Sequence, residues 1–134
     1  MNKLLLIVGL ILIILVSCDG PNNISLDQLT RVDYQQEDGD VIMIYDVDTI
    51  DLLITVFEKI EWELNVKVKM ARSEDVKATL FFQYDKNMPE RLVEYLIWFN
   101  RDGSAMIINH EENSMGKLDK ANAQLLKEVF LQSN

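Results

Sequence analysis

The chain begins with an unbroken apolar run over residues 4–16, preceded by a single cation, Lys3. Only after a polar stretch, 19–25, does it take on the mixed patterning of a folded domain. From Leu26 onward the spacing of apolar positions predicts the elements in turn. Over 29–36, Val32 and Tyr34 alternate with Arg31, Asp33 and Gln35, the two-residue period of a strand. Glu37-Asp38-Gly39-Asp40 reads as a tight turn, because Asp-Gly readily supplies left-handed backbone. Residues 41–45 form an apolar, β-favouring run, expected to return beside the first strand and to be covered on both faces. The period then lengthens: Ile50, Leu53, Ile54, Phe57 and Ile60 line one face of a helix over 48–61, with Asp48 or Thr49 as its cap.

Strict alternation resumes with Trp62, Leu64, Val66, Val68 and Met70 opposite Glu63, Asn65, Lys67 and Lys69. After a polar turn over 71–75, Val76, Ala78, Leu80, Phe82 and Tyr84 face away from Lys77, Thr79 and Gln83. These two stretches are expected to pair as a hairpin. Residues 85–89 form a loop ending in Pro89, and 92–99 is apolar on both faces apart from Glu94, as a central strand would be. An Asp102-Gly103 turn leads to a strand over 105–108, then a short extended piece over 114–118. The last element is a helix capped by Asp119, with Leu125, Leu126, Val129 and Phe130 as its apolar stripe. This order predicts an α+β domain, an antiparallel β-sheet of about five to six strands with two helices packed on one face.

A positive start, a short apolar middle and a small residue before the cut form the pattern of a secretory signal peptide. Thirteen apolar residues at about 1.5 Å each span about 20 Å, short of the roughly 30 Å of a bilayer core, which favours a cleaved signal over a membrane-spanning helix. Leu15-Val16-Ser17-Cys18 is similar to the lipobox of bacterial lipoproteins. That resemblance implies cleavage after Ser17, a diacylglycerol on the Cys18 thiol, and a membrane anchor at the extracytoplasmic face of the cytoplasmic membrane. It divides the chain into a cleaved signal peptide (1–17), a lipidated cysteine with a flexible tether (18–25) and a single domain (26–134). The tether reaches roughly 15 Å, so the domain is expected to work close to the membrane.

Removing the signal peptide takes away Lys3 and leaves 12 basic residues against 22 acids, a formal charge of −10 where the whole chain carries −9. Such a surface is repelled by nucleic acid, whose binding depends on cations that neutralise phosphates, so no nucleic-acid partner is expected. Cys18 is the sole cysteine, which leaves the domain without an internal disulfide or a thiolate metal cluster.

Familiar catalytic chemistry is absent. The one histidine, His110, lies at the end of a predicted strand, and there is no nucleophile elbow, phosphate-binding loop or dinucleotide fingerprint. The one local anomaly is an acid-rich stretch over 33–51 without Lys or Arg; its Asp38, Asp40, Asp46 and Asp48 are candidate oxygen ligands for a hard cation, although their spacing suits turns and a helix start better. Trp62, Tyr95, Trp98 and Phe99 are aromatics for either a groove or the core, with the core favoured by their apolar neighbours.

The run 94–100, its Asp-Gly turn and the closing helix start at 117–123 resemble small, uncharacterised lipoproteins of Gram-positive bacteria. That likeness implies the same tether and fold, and it carries no activity, cofactor or site. The expected function is therefore a membrane-tethered, non-enzymatic accessory or protein-interaction module of the cell envelope with an envelope protein as partner. A small-ligand or cation-binding lipoprotein is the alternative, and an enzyme built on a carboxylate pair comes third.

Overall fold

The computed structural model describes residues 25–131. The expected signal peptide, the lipobox Leu15, Val16, Ser17 and Cys18, and the tether as far as residue 24 lie outside the described residues. A single 3-10 turn, Leu26–Gln28, leads into β1 (Leu29–Gln36), β2 (Ile42–Ile44), α1 (Val47–Glu58), β3 (Glu61–Glu63), β4 (Val76–Phe82), β5 (Arg91–Phe99), β6 (Ala105–Asn109), β7 (Ser114–Leu118) and α2 (Lys120–Phe130). The strands form one sheet of seven, in the order β2-β1-β4-β5-β6-β7-β3, with antiparallel pairing throughout. The α+β architecture expected from the sequence is the observed one, with a strand or two more in the sheet.

Both helices start at aspartate caps. Asp46 accepts hydrogen bonds from the Thr49 N–H at 3.0 Å and the Thr49 hydroxyl at 2.6 Å, and Asp119 accepts one from the Asn122 N–H at 2.9 Å. Each carboxylate satisfies a donor that the first turn cannot pair internally. The cap of α1 is thus Asp46, not Asp48 or Thr49, because the helix begins one residue earlier than its apolar period suggests.

The helices and one face of the sheet share a single core. Ile50, Leu53, Val56 and Phe57 of α1 meet Ala123, Leu126 and Phe130 of α2 over Val32, Tyr34, Ala78, Leu80, Ile97 and Ile107 of the strands. The stripe of α2 is therefore Ala123, Leu126 and Phe130; Leu125 turns partly outward and Val129 stays half-buried. Ala123 is buried in this stripe with Leu126 and Phe130. β5 is the fourth of seven strands, as its two-sided apolar character foretold.

Two further expectations fail. The hairpin of 62–70 with 76–84 does not form: β3 stops at Glu63, Asn65 takes a left-handed φ of 60°, and β3 pairs with β7 at the far edge of the sheet. β4 has no free side to offer, since β1 occupies one of its edges and β5 the other. The loop after β3 is instead clamped to β5: Arg72 forms a two-pronged ion pair with Asp75 at 2.6 and 3.0 Å and donates to the Phe99 carbonyl at 2.9 Å. Asp75 in turn accepts the Phe99 N–H at 2.7 Å, and the Trp98 indole donates to the Arg72 carbonyl at 3.0 Å.

The second failure is residues 41–45. They do return beside β1, but as the outermost strand, so only Ile44 is buried and the run is not covered on both faces.

Candidate functional site

An open cavity of about 240 Å³ lies where β3, the start of β7 and the chain around Leu26 meet the end of α1. Phe57, Trp62, Phe82 and Tyr95 line it with aromatic surface, and Asn109, Glu112 and Ser114 supply its polar groups. The Tyr95 ring stands perpendicular to Phe57 at 5.4 Å between centroids and tilts against Trp62 at 5.5 Å. In the sheet, Trp62 and Tyr95 are three strands apart, about 14 Å in a flat sheet at ~4.8 Å per spacing. Inward curl of the sheet and two long side chains close that gap.

Trp62 reaches this position because its register partner on β7 is Gly116. A β-carbon at 116 would overlap the Ile60 side chain and stand 3.1 Å from two atoms of the indole, so the glycine is the space in which the indole packs. The polar wall comes from the β6–β7 turn. The buried Asn109 side chain accepts the N–H groups of Glu111 at 3.1 Å and Glu112 at 3.4 Å, and Asn113 closes the turn in left-handed backbone with φ 48°. That conformation is one Asn adopts more readily than most residues. The result is Glu112 held at the mouth of the cavity, exposed to solvent.

Burial first, and the negative charge of Glu112 second, push the Tyr95 phenol up to about 12. Like any tyrosine it is neutral at physiological pH, and the shift extends that neutrality further into the alkaline range. The carboxylates with displaced titration lie elsewhere, and all are displaced downward. Hydrogen bonds from the side chain and N–H of Thr49 lower Asp46, and the same pair of bonds from Ser104 lowers Asp102. Burial acts to raise Asp75, but Arg72 and the Phe99 N–H outweigh it and the net displacement is downward. Each is explained by its structural partner.

The candidate cation ligands are not gathered. Asp38 occupies the β1–β2 turn with φ 53°, Asp46 is committed to Thr49, and Asp48 lies exposed in the first turn of α1. Among the described residues no three of His, Cys, Asp and Glu stand close enough to hold a metal ion. His110 is exposed in the β6–β7 turn. Of the four aromatics, Trp62 and Tyr95 line the cavity, Trp98 is buried under the Arg72 loop, and Phe99 packs at the margin of the core.

A second surface feature went unrecognised in the sequence. Val41 is 59% exposed, Ile42 47%, Met43 56%, Tyr45 71% and Val47 72%. They lie along and beside β2, at the end of the sheet, among Asp38, Asp40, Asp46 and Asp48. The signal was present as an apolar run inside an acidic stretch, but burial and exposure of such a run read alike in sequence.

No protein-family model and no curated protein matches the sequence. Among solved structures, the fold is similar to that of a thioesterase-like protein from Clostridium sporogenes, with a TM-score of 0.57 and 20% identity over 82% of this chain and 100% of that one. At this identity the likeness is one of fold.

Proposed function

We propose that this chain is a membrane-tethered, non-enzymatic interaction module of the cell envelope, anchored through a lipid on Cys18, which docks an extended segment of a partner protein along β2. The observation that carries this reading is the set of exposed apolar side chains on and beside the terminal strand β2, Val41, Ile42, Met43 and Tyr45, continued by Val47 at the start of α1. An edge strand presents backbone donors and acceptors that another chain can pair with, and soluble proteins usually blunt such edges with charge or proline. Here the strand is short and has Asp40 and Asp46 on either side, yet Ile42 and Met43 stand exposed on it. The run from Val32 to Glu58 contains no Lys or Arg, so a second copy or an anionic membrane is repelled, and the partner segment that fits alternates apolar with basic residues. A short tether raises the effective concentration of membrane-borne partners, so that a small interface suffices.

The test uses the full-length lipidated protein in detergent micelles and two synthetic peptides of alternating valine with lysine or with glutamate. The lysine peptide is expected to bind, to slow amide exchange at residues 42–44 and to be released by salt. Exchange at 42–44 unchanged by either peptide would overturn the reading.

The thioesterase-like fold neighbour makes hydrolysis of acyl thioesters the enzymatic alternative. Release of thiol from acyl-coenzyme A substrates, lost in Glu112→Gln, would favour it over the interaction module.

A further inference from the structure

We propose that the cavity between Trp62, Tyr95 and Glu112 binds a small organic cation, an ammonium or quaternary ammonium group carried on a short apolar body. None of the exposed residues on and beside β2 lines the site, and the inference does not depend on the partner reading.

The lining selects by charge. Glu112 is its one carboxylate, and no Lys or Arg is among the described residues that line it, so the carboxylate has no partner there. Anions are disfavoured by Glu112, by the negative faces of the aromatic rings and by the net charge of −9. A metal ion would need several hard ligands, and a single carboxylate does not make such a set. A neutral apolar molecule would fill the aromatic part but leave Glu112 desolvated at the mouth without compensation. An organic cation satisfies both parts: its body packs on Phe57, Trp62 and Phe82, while its charge lies between aromatic rings and the Glu112 carboxylate. Tyr95 contributes its ring, set perpendicular to Phe57 and tilted against Trp62. The volume of 240 Å³ is below the roughly 300–1,000 Å³ of drug-sized sites, which limits the occupant to a headgroup-sized molecule or the end of a longer one.

The experiment is calorimetric titration of the full-length lipidated protein in detergent micelles with choline chloride, and with the neutral alcohol in which a tert-butyl group replaces the trimethylammonium. Choline is expected to bind at one site, with the neutral isostere about tenfold weaker. Glu112→Gln, at an exposed position, is expected to weaken choline by a similar factor and to leave the isostere unchanged. Equal affinity for the two probes would overturn the proposal by making the cavity merely apolar. Choline binding untouched by Glu112→Gln would overturn it by locating the cation elsewhere on the acidic surface. The absence of saturable binding by choline and by the larger phenyltrimethylammonium would overturn it outright.

Discussion

Trp62 on β3 and Gly116 on β7 are register partners, and the indole occupies the space that any side chain at 116 would need. Gly116 itself is buried at the middle of its strand, between β3 and β6, where a residue without a side chain normally weakens a sheet. Here the loss is offset by the aromatic ring laid over the glycine, and the same contact aims Trp62 toward Tyr95.

Gly116→Ala should therefore act as overpacking. The added methyl overlaps Ile60 and presses on the indole, so urea unfolding is expected to report a loss of about 1–3 kcal/mol. Trp62 fluorescence should shift with it. An unchanged midpoint and spectrum would show that the strands part without cost.

Asp75→Asn should loosen the loop before β4. The carboxylate holds Arg72 and the Phe99 N–H, and hydrogen bonds to charged groups contribute about 1.5–3 kcal/mol, so a destabilisation of that order is expected at neutral pH. Because the folded-state titration of Asp75 lies below its ordinary value, its contribution is complete above the usual carboxylate range and is lost as pH falls through the lowered value. The difference between wild type and variant should shrink on acidification. A pH-independent difference would point to packing instead of charge.

Tyr95 sets an alkaline limit. Its folded value of about 12 lies above the ordinary 10, so ionisation favours the unfolded chain once pH exceeds about 10. Stability should fall between those values by about 1.4 kcal/mol per pH unit from this group, on top of whatever Tyr34, also raised by burial, contributes. Tyr95→Phe should flatten that limb, measured by thermal unfolding across the alkaline range.

The aspartate caps should be separable from the rest of the acid-rich stretch. Asp46→Ala is expected to lower the thermal unfolding midpoint through loss of the two Thr49 hydrogen bonds, whereas Asp48→Ala, exposed and without such a partner, should leave it nearly unchanged. Equal effects at both positions would contradict the observed cap.

Met43→Lys combined with Tyr45→Lys should leave stability within about 0.5 kcal/mol per site, since neither side chain is buried, while abolishing capture of the lysine peptide. A large loss of stability would mean that these side chains support the fold.

Much of the architecture was legible because local patterns report local facts. The alternation of Val76, Ala78, Leu80 and Phe82 gave β4, the two-sided apolar run of 92–99 gave a central strand, and Asp119 gave the start of α2. The cavity was less so. Trp62 and Tyr95 were visible as aromatics, but their meeting at 5.5 Å depends on curl of the sheet, and the role of Asn109 in holding Glu112 depends on a turn only three-dimensional structure reveals.

The sequence by itself determined most of the elements, the cap of α2 and the acidic charge, because periodicity, capping chemistry and composition act within a few residues. Tertiary structure decided which strands became neighbours and which faces met water. The alternating run after Trp62 resembles a strand as well as β4 does, yet β1 and β5 had taken both edges of β4, and backbone edges can be paired only once. The same competition left residues 41–45 outermost, so that a run expected to be covered on both faces buries only Ile44 and exposes the rest.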